Sequence, residues 1–461
     1  MKNSQIFPFN KNIIDEIKDA AGADYVVTDP DILKQYDRDA SFLRAIPQVM
    51  VMAQSAEQIS RLLNLANRRK FPVVPRAGGT GLAGGCLPIS GGVVLNLSSM
   101  NQILSIDTQN LIADVQPGVI TLNLRDAARE KGLFYPPDPA GMDKSTIGGN
   151  AATSAGGPSC LKYGTTKDYV LGLEVVLPQG NIIMTGGCTR KGVVGYDLTH
   201  IMVGSEGTLG IITRLFLKLI PHPPAAQTVA AIFHTLQDAM KAVTEIQIRG
   251  HSPAALEFMD ARCMALIKDL IPLSISGNKG AFVIMELDGA VEQIDASMSA
   301  IIPILREMGA SEILKALNEH HRESIWTGRR QISNRIRENS VFNVAEDIAV
   351  PVGRIADLAD NMPEIEKRCG VKLYAFGHAG DGNIHINITA SQKDHPGIDD
   401  AIRAVFKTAL AMGGTISGEH GIGYAKKSFI NLELSPVSIA LQKDIKKLFD
   451  PNMILNPGKI F

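Results

Sequence analysis

The sequence predicts an α+β fold in two main domains, on three observations. Residues 93–220 alternate strands with glycine-rich loops and hold few long helices. Residues 221–420 alternate strands and helices regularly, the pattern of an antiparallel sheet with helices on one face. Pro221-His222-Pro223-Pro224 is the clearest linker between them. Residues 421–461 form a C-terminal segment, expected to be mostly helical.

Taken in order, residues 12–45 read as helical and amphipathic, becoming irregular around Thr28-Asp29-Pro30. Gln48–Ala53 reads as a strand. Ser55-Ala56-Glu57-Gln58 is a capping box that opens a helix through about Arg69, and Pro72 stops it. Phe71–Pro75 is a short strand, followed by the loop Arg76-Ala77-Gly78-Gly79-Thr80-Gly81-Leu82-Ala83-Gly84-Gly85-Cys86. The spacing G-x-G-x-x-G occurs there at Gly79, Gly81 and Gly84. A dinucleotide-binding Rossmann unit needs a helix to begin at that loop. Pro88, Gly91 and Gly92 interrupt any such helix, and Val93–Leu97 reads as the next strand. The reading that remains is strand–loop–strand, with successive backbone N–H groups facing an anion such as a nucleotide phosphate.

Thr121 is the expected N-cap of a helix over Leu122–Glu130. Residues 146–157 are almost all small, which suits a series of tight turns or a surface on which a ligand packs closely. Gly204-Ser205-Glu206-Gly207-Thr208-Leu209-Gly210 is a third such tract, leading into a strand over Ile211–Ile220. Beyond the linker, strands are expected at 227–233, 254–259, 281–287, 342–349, 371–377 and 383–389. Helices are expected at 235–249, 260–270, 291–308, 319–338, 354–368 and 397–412.

Composition excludes several classes. Lys+Arg is 46 and Asp+Glu is 47, so a net charge of −1 offers nothing to nucleic acid or an anionic membrane. The five cysteines are scattered and form no C-x-x-C pair, which argues against an iron–sulfur cluster and for a reducing, cytoplasmic setting. No apolar run approaches the roughly 18 residues of a membrane-spanning helix, and no signal peptide is expected.

Two C-terminal segments carry the chemistry. Gly377-His378-Ala379-Gly380-Asp381-Gly382-Asn383-Ile384-His385-Ile386-Asn387 supplies two imidazoles, and Ser417-Gly418-Glu419-His420-Gly421 supplies a carboxylate with a third imidazole beside it. Two His and one carboxylate suit catalytic Zn²⁺ or non-haem Fe²⁺ and leave positions open for substrate. His420 is then free to act as a base. On a strand, His385 and Asn387 share one face while Ile384, Ile386 and Ile388 take the other. Asp381 between two glycines reads as a turn former. Glu206 is open to a second reading, in which it bonds loop backbone. The remaining histidines are expected to be structural.

With these motifs in place, the chain resembles the flavin-dependent D-2-hydroxyacid dehydrogenases of the vanillyl-alcohol-oxidase-type superfamily. That group includes D-lactate dehydrogenase, the glycolate oxidase flavin subunit and D-2-hydroxyglutarate dehydrogenase. The likeness covers the 76–86 loop, Pro137-Asp138-Pro139, the 146–157 tract, Gly195-Tyr196-Asp197-Leu198, the 204–210 tract, both metal-type segments and Asn456-Pro457-Gly458-Lys459. It implies an FAD-binding domain over 1–220, a cap domain over 221–420, and a segment over 421–461 that returns to the FAD domain.

The resemblance places FAD contacts on Arg76, Gly78, Gly79, Thr80, Gly81, Leu82, Gly85, Cys86, Pro137, Asp138, Thr146, Gly149, Asn150, Ser154, Gly156, Gly157, Glu206, Gly210, Ile211 and Asn456. Metal ligands (for Zn²⁺, Fe²⁺ or Mn²⁺) fall on His378, His385 and Glu419, and the base on His420. Substrate contacts fall on Arg329, Ser333 and Asn387, with Ser333 standing where the family often has Thr; Arg329 would hold a carboxylate by a two-pronged hydrogen bond, with a structural ion pair as the alternative reading. Relatives with covalent flavin carry a histidine in the phosphate loop, and its absence implies noncovalent FAD. Relatives acting on 2-hydroxyglutarate carry a lysine near Ala345, and its absence favours D-lactate or glycolate. With no cluster of its own, the chain is expected to pass electrons to an electron-transfer flavoprotein, an iron–sulfur subunit or a quinone-linked carrier. A metal-dependent hydrolase and a non-catalytic flavin-binding subunit are the alternatives from other classes.

Overall fold

The computed structural model describes residues 7–271 and 280–461. The chain divides into two compact units. The first comprises Met1–Gly156, Thr165–His222 and His420–Phe461, and the second comprises Gly157–Gly164 and Pro223–Glu419. The sequence reading has its boundaries at 220/221 and 420/421, and it assigns Gly157–Gly164 to the first domain.

The first unit opens with strands β1 (Val26–Val27), β2 (Val49–Met52), β3 (Val73–Arg76) and β4 (Val93–Asn96). They form one sheet in the order β1-β2-β4-β3, in which β2, β4 and β3 run parallel. The helix Ala56–Arg69 connects β2 to β3, with the Ser55 hydroxyl accepting the Gln58 N–H at its start. It buries Ile59, Leu62, Leu63 and Leu65 in a core shared with Val49, Val51, Val73, Val93 and Leu95. Each such side chain contributes about 1.5–3 kcal/mol on full burial. Between β3 and β4 the chain forms no helix, as the strand–loop–strand reading requires.

Strands β5 (Ile103–Asp107), β6 (Ile112–Val115), β7 (Leu133–Phe134), β8 (Val170–Val176), β9 (Ile182–Gly186), β10 (Ile211–Lys218) and β11 (Ile220–Pro221) follow. Five make an antiparallel sheet ordered β5-β6-β10-β8-β9, and β7 pairs with β11.

The structure corrects several expectations in this unit. The first long helix ends at Ala21, where Gly22 takes φ 87, and only Pro30–Lys34 is α-helical again before β2. The helix expected to be capped by Thr121 begins at Thr121, after Ile120. The Thr121 hydroxyl is instead buried against Ser145 and accepts from the Asn150 amide. The small-residue tract is a short helix, Ile147–Thr153, with the Thr146 hydroxyl accepting the Gly149 N–H. The C-terminal segment is less helical than expected, with α-helix only at Ile430–Glu433 and Pro436–Phe449. Much of the rest is held by backbone bonds: Tyr424 and Ala425 donate to Ala83, Val73 donates to Ile454, and Asn456 donates to Val73.

The second unit is built on strands β12 (Ala225–Phe233), β13 (Ala255–Asp260), β14 (Ala281–Gly289), β15 (Ala310–Lys315), β16 (Phe342–Ala349), β17 (Lys372–His378) and β18 (Asn383–Ala390). Their order is β15-β12-β14-β13-β17-β18-β16, and every pairing is antiparallel. The edge strand β15 is not among the expected strands. Helices lie on both faces, where the sequence pattern suggested one. Ala261–Ile267 and Glu319–Glu338 pack on the face carrying Ala255, Met259, Phe282, Ile284 and Phe376. The alternate residues Phe258, Val283, Ile384, Ile386 and Ile388 are equally buried. Helices Leu236–Ile248, Val291–Glu307, Ile355–Cys369 and Gly397–Ala411 contact the sheet there. Among the described residues no helix is long and apolar enough to cross a membrane.

Candidate functional site

Strand register in the second unit gathers the charged residues. Glu257 on β13 is the cross-strand partner of His378 on β17. His385 on β18 is the partner of both Phe376 on β17 and Asp347 on β16. Cross-strand partners share a face, so Glu257, His378, His385, Asn387 and Asp347 all project to one side of the sheet. The isoleucines of β18 fill the opposite face, as alternation requires.

His378, His385 and Glu419 each offer a ligand atom, and these three atoms lie within 4.8 Å of one another. Glu419 Oε1 is 3.7 Å from His378 Nε2 and 3.6 Å from His385 Nε2. Ligands about 2.1 Å from a tetrahedral ion sit roughly 3.4 Å apart, so the set fits a divalent ion. The two imidazole planes meet at 84°, with ring centroids 5.3 Å apart. Burial alone would depress the pKa of His378, but the Glu257 and Glu419 carboxylates outweigh it and hold the group well above its usual value. The position therefore favours positive charge.

Glu419 reaches this cluster because its loop is tied to β16. Ala349 and Thr415 exchange backbone bonds, and the fully buried Asp347 accepts the Glu419 N–H at 2.6 Å. Asp381 accepts the Asn383 N–H, which is the turn role.

Arg329 lies on helix Glu319–Glu338, and its Nε donates to Glu257 Oε2 at 2.6 Å. The other oxygen, Oε1, is 2.5 Å from His378 Nδ1. Glu257 is 0 % exposed, so one carboxylate joins an expected metal ligand to the expected substrate arginine. The Arg329 guanidinium also lies 4.8 Å over the Phe376 ring, which is 5.2 Å from the His385 ring. Among the described residues its two terminal amines make no hydrogen bond. Asn387 is buried and accepts from Asn343 through Oδ1, and among the described residues its Nδ2 has no partner. Ser333 is one helical turn beyond Arg329 and partly exposed. Ala345 is the cross-strand partner of Asn387 and so faces the same side.

Glu257 and Asp347 are absent from the sequence reading. The signal for Glu257 is a lone carboxylate inside the apolar strand Ala254-Ala255-Leu256-Glu257-Phe258-Met259.

His420 follows Glu419 directly and opens the last segment of the first unit. The chain just beyond it is fixed within that unit. Glu206 accepts the N–H groups of Ile422 and Gly423, one on each oxygen, at 2.8 Å. Burial raises the Glu206 pKa, while the two N–H groups oppose that rise. Its carboxylate is thus committed to loop backbone, the second of the two readings above.

The phosphate loop of the first unit also fits its expected group. The N–H groups of Gly78, Gly79, Thr80, Gly81 and Leu82 have no acceptor among the described residues. A run of unpaired N–H groups at the carboxyl end of a parallel strand is a nest for a phosphate anion. Gly79 has φ 64, and a Cβ there would come 2.3 Å from the Arg76 guanidinium. Arg76 packs beneath the loop, donating to the Arg38 carbonyl, rather than reaching outward. Cys86 is half-buried, and desolvation pushes its thiol up to about 11. Asn456 donates to Gly85 and Glu206 carbonyls, tying the C-terminal segment to two of the glycine-rich loops. The Asn150 amide is likewise engaged by Thr121.

Comparison with known proteins follows this division. A family model described as FAD binding domain matches residues 47–186, and one described as FAD linked oxidases, C-terminal domain, matches residues 222–460. The chain is 39% identical to glycolate oxidase subunit GlcD of Bacillus subtilis (strain 168), covering 93% of this chain and 92% of that one. It is 36% identical to D-lactate dehydrogenase of Anaerostipes hadrus, covering 98% of each. Among solved structures, 4-ethylphenol oxidase from Gulosibacter chungangensis superposes with a TM-score of 0.79 at 21% identity, covering 97% of this chain and 96% of that one. At that identity the likeness carries the fold, which is of the vanillyl-alcohol-oxidase type.

Proposed function

The chain belongs to the FAD-linked oxidases, and from that premise we propose that it oxidises a D-2-hydroxy acid, with D-lactate to pyruvate as first choice. The observation that carries the reading is the cluster His378, His385 and Glu419, with Arg329 joined to it through Glu257. FAD, when bound, supplies the acceptor for the hydride that leaves the α carbon. A divalent ion (Zn²⁺, Fe²⁺ or Mn²⁺), when held by His378, His385 and Glu419, supplies a Lewis acid that lowers the pKa of the substrate hydroxyl.

The chain's own residues supply position and proton transfer. The two terminal amines of Arg329 match a carboxylate, and the bond from Nε to Glu257 aims them. The unpartnered Asn387 Nδ2 offers a donor to a substrate oxygen. His420 takes the hydroxyl proton on a ring nitrogen, as the imidazole that directly follows the ligand Glu419 in the chain. Ala345 stands where a lysine would meet a second carboxylate, which supports a monocarboxylic substrate. Glycolate is the second reading, favoured by the 39% identity to a glycolate oxidase subunit. Electrons then leave to an electron-transfer flavoprotein or an iron–sulfur subunit.

The test is His385→Ala. It should lose both tightly bound divalent metal and turnover of D-lactate while retaining FAD. Full turnover in a variant that has lost its metal would overturn the metal-assisted reading.

A further inference from the structure

We propose that Glu257 is a positioning residue that holds His378 and Arg329 in one fixed relation, so that metal site and substrate clamp are set as a unit. The inference rests on the reading above that His378 binds a metal and Arg329 binds substrate.

The burial of the pair and the division of its bonds carry it. The Glu257 carboxylate is fully buried and the Arg329 side chain is only 11% exposed. Taking two such charges out of water is costly, and their mutual attraction offsets that cost only in good geometry. Here each Glu257 oxygen serves one site residue, His378 through Oε1 and Arg329 through Oε2. A carboxylate accepting from the outer nitrogen of a metal-binding imidazole fixes its tautomer and ring orientation.

A second contact closes the ring. The Phe376 ring contacts both the Arg329 guanidinium and the His385 imidazole. Arg329, Glu257, His378, Glu419, His385 and Phe376 thus form a closed circuit of contacts. Neither His378 nor Arg329 can turn without disturbing Glu257.

Two variants test this. Glu257→Gln keeps the shape but offers one acceptor to two donors, so one donor must face an amide N–H. The double variant Glu257→Met/Arg329→Met removes both charges of the buried pair, a change that folds tolerate, and leaves His378 without its acceptor. The first readout is the Zn²⁺ dissociation constant, by competition with a chromogenic chelator and without substrate. His385→Ala serves as the control. The second is the KM for D-lactate in metal-saturated Glu257→Gln protein.

The double variant should bind Zn²⁺ about 10–100-fold more weakly. Glu257→Gln should weaken Zn²⁺ or raise KM by about tenfold or more. Wild-type Zn²⁺ affinity in the double variant would overturn the proposal, as would Glu257→Gln leaving both quantities within about twofold. Zn²⁺ affinity unchanged by His385→Ala would overturn the metal reading itself, and this inference with it.

Discussion

Replacing Glu206 with Gln removes one of two acceptors that hold the chain just after His420. Each Glu206 oxygen takes one backbone N–H, from Ile422 and Gly423, at 2.8 Å. Gln keeps a single acceptor and turns an amide N–H toward the other donor. A hydrogen bond to a charged group contributes about 1.5–3 kcal/mol, so about 2 kcal/mol is lost. In a unit of this size each kcal/mol moves Tm by about 2–4 °C. Thermal unfolding followed by circular dichroism should therefore fall by about 4–8 °C. Gly421→Ala attacks the same contact from the other side. Gly421 has φ +79, and its Cβ would sit 2.9 Å from Glu206 Oε1. The pair of changes should cost less than their sum, because they break one shared contact. A Glu206→Gln protein melting within about 1 °C of wild type would refute the argument that these two bonds hold the loop.

Other outcomes follow from single residues. Acid precipitation should release all the yellow colour into solution, because the loop reads Ala77-Gly78-Gly79 with no attachment histidine; flavin retained on the precipitate would contradict noncovalent binding. Ala345→Lys should shift the kcat/KM ratio toward D-2-hydroxyglutarate over D-lactate by about 10–100-fold, the effect of one charged hydrogen bond of about 1.5–3 kcal/mol. An unchanged ratio would remove Ala345 from the substrate site. At pH 8 a thiol at about 11 is thiolate in roughly one molecule per thousand, against about a quarter for an ordinary cysteine. Iodoacetamide should thus label Cys86 about two orders of magnitude more slowly than a free thiol, as read by mass spectrometry, and equal rates would contradict the raised thiol pKa.

Where structure is local, the sequence displays it. Helix 319–338 and strand 342–349 are read to the residue, since each carries its own periodicity and a polar break separates them. Strand β15 escaped because an edge strand with only partial burial shows no alternation. Helix Ile147–Thr153 escaped for another reason. Gly-Gly-Asn-Ala-Ala has no helical preference, and tertiary contacts hold it, with Asn150 bonded to Thr121 and Gly148 against Pro117. The site divides the same way. His378, His385 and Glu419 stand in local glycine-framed motifs and are legible. Glu257 lies 121 residues before His378, and only the β13–β17 register brings them together. Pairing between distant strands is a property of topology, which no local pattern displays.

The central claim is metal-assisted oxidation of a D-2-hydroxy acid by bound FAD. It is tested most directly by anaerobic mixing of metal-replete protein with D-lactate or L-lactate, with and without a chelator, while following the absorbance of oxidised flavin. D-lactate should bleach the flavin, L-lactate should not, and the chelator should abolish the bleaching. Equal bleaching by both isomers, or bleaching that survives the chelator, would contradict it.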